Sequence, residues 1–266
     1  MNVMFWYGTV CWIFELAVLF WFLYECRDET TKKGYILKGA ASSNILIYGT
    51  VLTALYAHTS HTAPSRGAIL FLIGMLFAFL GDMGLATMQR KHGGSSKVIF
   101  SKIASERVTV ETLTAGVVGV LFIISFFFQT LAFLRGIHGD IQQFTVPFLV
   151  LFLLPPVFGA VLTNILMTQS KMTPVSTNIF IIGIFFALVL SALFAAATVY
   201  SFWAWQEHPN HAIYVFSGAL LLFLSVDLLL ARYARPEKND TRSLRAISRT
   251  LNFVARMMLA GCAFLL

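Results

Sequence analysis

The chain has 266 residues, of which 58% are hydrophobic and only 12% are charged, about half the charged fraction of a typical soluble domain. This composition excludes a soluble globular protein and indicates an all-α integral membrane protein, because helices satisfy their own backbone hydrogen bonds in lipid. The net charge of +7 does not indicate nucleic-acid binding, since the basic residues cluster between apolar segments, where they set topology and contact anionic head groups.

Hydropathy predicts a single polytopic membrane domain, residues 1–266, built as a bundle of eight transmembrane helices. The predicted spans cover residues 4–25, 36–57, 67–88, 110–134, 145–169, 175–203, 211–233 and 248–266. Each of them is long enough to cross the hydrocarbon core of a bilayer. The first span has full membrane length and no basic region before it, so we expect a transmembrane helix there rather than a cleaved signal.

Lysine and arginine are distributed unequally between the two sides of the predicted bundle. Sixteen of the 19 lysine and arginine residues fall in or beside the loops after spans one, three, five and seven, whereas the opposite side carries Arg66 and Arg135. The positive-inside rule therefore predicts a multi-pass protein with both termini outside the cytoplasm. A bacterial inner membrane or the endoplasmic reticulum fits this topology.

Two aspartates lie inside apolar segments, Asp82 in span three and Asp227 in span seven. An ionisable side chain at such a depth costs free energy unless it has a partner or serves a function. Asp82 lies eight residues before Arg90 and Asp227 five before Arg232, which places both aspartates about 7–12 Å from the cytoplasmic boundary of the membrane. We therefore expect the two carboxyl groups to face one polar site.

The two aspartates also share the local sequence Asp-x-x-Leu-Ala, at an offset of 145 residues. A tandem repeat of two four-helix halves would produce this offset. The match is imperfect, because the preceding glycine, Gly74 or Gly218, lies eight residues before Asp82 but nine before Asp227.

Motifs in four spans resemble those of one membrane-protein family. They are Lys38 at the start of span two, Gly81-Asp82-Met83-Gly84-Leu85 in span three, Gly218-Ala219 through Phe223 to Asp227 and Leu230-Ala231 in span seven, and Phe253-Val254-Ala255-Arg256 in span eight. These stretches resemble the YhhN-like family of eight-span membrane proteins, which includes the lysoplasmalogenases. The resemblance extends over the eight-span layout, although its specific motifs are short.

The sequence departs from the family pattern at three positions. The serine of span seven, Ser225, is displaced by one residue from its usual place beside the aspartate. Arg256 replaces the glutamine that follows the alanine in span eight. The family's histidine in span four is missing, and Phe126 or Gln129 lies near its position.

The resemblance implies hydrolysis of the vinyl-ether bond of lysoplasmalogen to a fatty aldehyde and a glycerophospho-base, without a metal or other cofactor. The substrate would be a lysophospholipid taken from the bilayer. Protonation of the vinyl ether at carbon needs an acid, and the resulting oxocarbenium ion needs a carboxylate that stabilises it and activates water. Asp82 and Asp227 are predicted to form this catalytic acid/base pair.

Five further residues are predicted to contact the substrate. They are Arg256, Lys38, Ser225, Asn252 and Glu15. Arg256 suits a lipid phosphate because its guanidinium binds phosphate oxygens in a fixed geometry. The alternatives are structural: Arg256 extends to the membrane interface, and Glu15 and Asn252 hydrogen-bond neighbouring helices.

Two other functions also fit the sequence. Buried carboxyls serve as proton relays in transporters, so a proton-coupled transporter of a small or lipid-like solute is the first alternative. The second is an outward-facing metal-dependent hydrolase, since His58-x-x-His61 and His208-x-x-His211 have spacings that suit zinc.

Overall fold

A computed structural model describes residues 2–25, 31–91, 110–137, 145–154, 157, 177–234 and 241–266. The elements in these ranges are helical. In chain order they are α1 (Asn2–Glu25), α2 (Lys32–Ser60), α3 (Arg66–Lys91), α4 (Val110–Gly136), α5 (Thr145–Leu154), α6 (Thr177–Glu207), α7 (Pro209–Ala234) and α8 (Thr241–Ala260), followed by a 3-10 turn (Ala263–Leu265).

Six of these helices contain segments long and apolar enough to cross a membrane. The segments are Val3–Tyr24, Lys32–Ser60, Arg66–Met88, Leu113–Gly136, Phe185–Glu207 and Pro209–Val226. They correspond to predicted spans one to four, six and seven. The structure therefore confirms a multi-pass helical membrane protein.

The prediction of eight spans is not confirmed for the fifth and eighth segments. In the fifth, only α5 and Val157 are described, and the remainder of 145–169 lies outside the described residues. In the eighth, α8 is not among the helices apolar enough to span by composition. Arginines and an asparagine recur along α8 at spacings of three and four residues, at positions 245, 249, 252 and 256, so one face of this helix is polar.

Helices α2 and α3 are antiparallel neighbours, and capping residues define where each of them begins. Thr31 caps the start of α2 by accepting a hydrogen bond from the Gly34 amide at 3.0 Å. The helix ends at His61, whose φ of 53° is left-handed, a common way to stop a helix. Ser65 then caps α3 by accepting from the Ala68 amide at 2.9 Å.

Neighbouring helices pack in a ring in the order α2, α3, α4, α6, α7, α8 and back to α2. The first helix, α1, packs beside this ring against α2 and α8. Consequently α3 and α7 occupy opposite positions, with two helices between them on either side. A rotation of the ring by three places would exchange α2 with α6, α3 with α7, and α4 with α8.

Two glycines lie where neighbouring helices of this ring pack closely together. A Cβ atom added to Gly74 of α3 would lie 2.8 Å from the Ser125 carbonyl oxygen of α4 and 2.8 Å from Cγ of Gln129. A Cβ atom added to Gly218 of α7 would lie 3.0 Å from Leu259 of α8. Both helix pairs therefore pack through a small residue, as membrane helices commonly do.

We expect Gly74→Ala to destabilise the bundle by about 1–3 kcal/mol, because its methyl group overlaps a backbone atom that cannot rotate away. Gly116→Ala is the matched control, since a Cβ atom at Gly116 has nothing within 4 Å and alanine favours the helix by up to about 1 kcal/mol. Thermal unfolding in detergent distinguishes the two variants. Equal midpoints for Gly74→Ala and Gly116→Ala would contradict the close packing of α3 on α4.

Candidate functional site

Asp82 lies at the centre of a buried polar cluster that joins three helices. Ser42 of α2 donates a hydrogen bond to Oδ2 of Asp82 at 3.0 Å. Arg256 of α8 forms an ion pair with the same oxygen. The Asp82 side chain is 9% exposed and that of Arg256 12%, so water does little to screen this interaction.

Lys38 adds a second positive charge to this cluster. It lies four residues before Ser42 on the same face of α2 and is only 3% exposed. Its ammonium group interacts electrostatically with both Asp82 and Arg256. These described residues thus bring two cations and one carboxylate together inside the bundle.

A small cavity of about 20 Å³ adjoins Asp82 between α2, α3, α4 and α8. Its polar lining consists of Ser42, Asp82, Gln129 and Arg256. Apolar side chains, including Phe71 and Met75, close the rest of the wall. A buried water needs roughly 10–15 Å³, so the cavity suits a water molecule and not a lipid chain.

The guanidinium of Arg256 is also held by an aromatic ring. Its central carbon lies 5.7 Å from the centre of the Phe122 ring of α4, within range of a cation–π interaction. Arg256 therefore contacts α3 and α4 from α8. These two contacts explain how an arginine is accommodated in α8 inside the bundle.

Ser225 and Asn252 lie together, at the contact between α7 and α8. Asn252 donates a hydrogen bond to the Ser225 hydroxyl at 3.3 Å, and Ser248 donates to the Ser225 backbone carbonyl at 2.6 Å. Neither Ser225 nor Asn252 lines the cavity beside Asp82. Their contacts favour the alternative in which these two residues join helices.

Asp227 belongs to α7, but the placement of its side chain lies outside the described residues. Its helix occupies the position in the ring opposite α3, which carries Asp82. The pairing of the two carboxyl groups therefore stays a prediction.

Glu15 is fully buried, but it lies away from the cavity. Oε2 of Glu15 accepts a hydrogen bond from Asn44 of α2 at 2.9 Å, and Asn44 also donates to the Cys11 carbonyl oxygen at 3.1 Å. Among the described residues, Oε1 of Glu15 is buried without a hydrogen-bond partner. Glu15 thus takes part in a polar link between α1 and α2, and its contact with a substrate stays a prediction.

The histidines that suggested a metal site form no cluster of three potential ligands in the part of the chain that the structure describes. His58 and His61 are exposed at the end of α2. His211 is buried and its Nε2 shares a hydrogen bond of 3.1 Å with the Tyr200 hydroxyl. Within the described ranges, no group of three or more histidine, cysteine, aspartate or glutamate side chains has the geometry to hold a metal ion.

Sequence reasoning overlooked two members of these clusters, Ser42 and Asn44. Ser42 follows Lys38 by four residues, so the two share one helix face and the serine was recognisable as part of a polar stripe. Asn44 gave no comparable indication, because its partner Glu15 lies 29 residues away in another helix.

No protein-family model matches the chain. No curated protein and no solved structure matches it significantly. Membership of the YhhN-like family therefore stays a prediction based on the short motifs around Asp82 and Asp227.

Proposed function

We propose that this protein is a membrane lipid hydrolase that resembles the lysoplasmalogenases and cleaves the vinyl-ether bond of a lysoplasmalogen. The observation that supports this most is the buried carboxylate of Asp82, which Arg256 and Ser42 hold beside a cavity for water within a helical membrane protein. Hydrolysis of a vinyl ether needs a fixed carboxylate and one water molecule in the same place.

The two aspartates take different parts in this proposal. Asp82 is the carboxylate, because its Oδ2 accepts hydrogen bonds from both an arginine and a serine, an arrangement that suits a negatively charged acceptor. It stabilises the oxocarbenium ion and accepts a proton from water. Asp227 donates the proton to the vinyl carbon.

The substrate is a lysophospholipid, and Lys38 and Arg256 bind its negatively charged phosphate. Both side chains are nearly buried beside Asp82, where a lipid phosphate would meet two cationic groups. At the cytoplasmic end of α3, Arg90 is exposed and lies 5.6 Å from the Tyr35 ring. Asp82 is eight residues from this end, a depth comparable to that of the sn-1 linkage below a lipid head group.

We also propose that α5 and α8 complete an eight-span bundle made of two similar halves, with both termini outside the cytoplasm. The ring order supports the two halves, because rotation by three places superposes α2, α3 and α4 on α6, α7 and α8. The unequal distribution of lysine and arginine supports the orientation of the termini. Gly74 and Gly218 make equivalent contacts with α4 and α8. The surrounding helices would shield the polar face of α8 from lipid.

Proton-coupled transport is the second candidate function, and Glu15 is the observation that favours it. Among the described residues, Glu15 is a fully buried carboxyl with one oxygen that lacks a hydrogen-bond partner. Membrane carboxyls of this kind carry protons in pumps and transporters. Transport would require net proton movement across the bilayer, whereas hydrolysis would not.

Release of fatty aldehyde from a purified lysoplasmalogen tests the proposed function directly. We expect the full-length protein in detergent to release aldehyde and glycerophospho-base in equal amounts, and to leave the corresponding acyl lysophospholipid intact. Glu207→Gln, at an exposed carboxyl of α6, should behave like the wild type. Absence of aldehyde, together with solute-dependent proton uptake into proteoliposomes, would instead support the transporter.

A further inference from the structure

Two residues that line the cavity beside Asp82 carry oxygen atoms that can accept a hydrogen bond from a ligand in it. Ser42 and Arg256 both donate to Oδ2 of Asp82, which leaves Oδ1 as an acceptor. Across the cavity, Nε2 of Gln129 donates to the Ser125 hydroxyl at 3.0 Å, which leaves the amide oxygen of Gln129 as a second acceptor. Both Asp82 and Gln129 line the cavity.

A water molecule matches this arrangement in size and in hydrogen bonding. The cavity volume of about 20 Å³ exceeds the roughly 10–15 Å³ that one water requires, and buried waters typically make about three hydrogen bonds. The two hydrogens of the water would bind Oδ1 of Asp82 and Oε1 of Gln129. An N–H group of Arg256, which has five, would donate to its oxygen.

Gln129 is held firmly enough to position such a water. Its amide is fixed by Ser125, one turn earlier on α4. Its aliphatic stem lies against the backbone of α3, since Cγ is 2.8 Å from the position that a Cβ of Gly74 would occupy. Gln129 is also only 5% exposed, so the surrounding protein atoms restrict its side chain further.

We propose that Asp82 and Gln129 bind one water molecule in this cavity and that this water is the nucleophile of the hydrolysis, an inference that rests on the proposed function. Asp82 is the base, and Gln129 is a positioning residue that aims the water oxygen. Gln129 of α4 therefore favours water over other nucleophiles in the capture of the oxocarbenium ion.

Hydrolysis proceeds through protonation of the vinyl ether, capture of the cation by water and collapse of a hemiacetal. Asp227 donates a proton to the vinyl carbon that is not bonded to oxygen, which gives the oxocarbenium ion. The water oxygen bonds to the cationic carbon while Oδ1 of Asp82 takes one water proton, which gives a hemiacetal. The hemiacetal hydroxyl proton then passes to the ether oxygen as the bond from carbon to that oxygen breaks, which releases aldehyde and alcohol. The proton on Asp82 returns to Asp227 through solvent.

Competition between water and methanol for the oxocarbenium ion tests the inference. Because this capture follows the slow protonation, a change in it alters the ratio of the products rather than the rate at which substrate is consumed. Methanol capture gives a mixed acetal, which has no hydroxyl proton and cannot collapse to aldehyde. We expect Gln129→Ala, which enlarges the cavity and removes the acceptor, to raise the ratio of acetal to aldehyde about tenfold, as for the loss of one hydrogen bond. Total substrate consumption should change much less.

Thr130→Val is the matched control on the same helix, because the Thr130 hydroxyl donates to the Phe126 carbonyl oxygen of its own helix and does not line the cavity. It should give the wild-type product ratio. If Gln129→Ala does not fold, Ser125→Ala releases the same amide and should shift the ratio in the same direction. An unchanged ratio in a folded variant that still releases aldehyde would overturn the assignment of Gln129.

The water site is also testable without turnover. A density map that resolves ordered waters should show one within about 3 Å of both Oδ1 of Asp82 and Oε1 of Gln129, and this density should be lost in Gln129→Leu. A map without that water overturns the inference. Absence of aldehyde release by the wild type, with the water present, would overturn only the proposed hydrolysis.

Discussion

Asp82→Asn and Asp227→Asn are each expected to abolish aldehyde release from lysoplasmalogen. An amide has nearly the same size as a carboxyl and forms hydrogen bonds, but it neither delivers a proton of suitable acidity nor carries a negative charge. Loss of general acid/base catalysis alone lowers a rate by about 10²–10⁴-fold, and the loss of electrostatic stabilisation adds to this. Because both residues serve one transition state, the double variant should be little slower than either single variant.

The measurement is aldehyde release by the wild type and the three variants, with thermal unfolding in detergent to confirm that each is folded. The wild-type rate should also fall in heavy water, because the proton reaches carbon in the slow step. Glu207→Gln controls for replacing an acid by an amide elsewhere in the chain. Near-normal turnover in either folded single variant would refute the acid/base assignment, and loss of folding in both would favour a structural role.

Arg256→Met is expected to lower the free energy of unfolding by about 3–5 kcal/mol, because it leaves the carboxylate of Asp82 buried without its closest cation. Asp82→Asn should also destabilise the protein, since Arg256 then loses the carboxylate with which it forms an ion pair. Combining the two substitutions removes both partners of the ion pair. The double variant should therefore be less destabilised than the sum of the single variants, by about 0.5–3 kcal/mol.

This coupling is measured by a double-mutant cycle on unfolding in detergent. Arg135→Met, at an exposed arginine near the end of α4, is the control and should change stability by no more than about 0.5 kcal/mol. Strict additivity of Arg256→Met and Asp82→Asn would show that their ion pair does not stabilise the fold.

Several features of this protein follow from the sequence because they depend on local composition. Six segments are apolar over a membrane length, and no tertiary contact is needed to recognise them. The same reasoning identified Asp82 as a costly group in apolar surroundings, whereas Lys38 and Arg256 were predicted as substrate contacts. Such groups need partners wherever the chain places them, and the structure brings these three together.

Other features depend on which helix faces meet, and only the tertiary structure decided them. Arg256 reaches Asp82 across 174 residues of sequence, and Glu15 bonds to Asn44 of α2 rather than lining the cavity. Hydropathy predicted an apolar eighth span, whereas the polar face of α8 meets its partners inside the ring. Periodicity along a helix shows which side chains share a face, but the partner of that face is set by close packing at residues such as Gly74. The sequence therefore determined the membrane class and the charged groups, and the packing of the helices determined the site that these groups form.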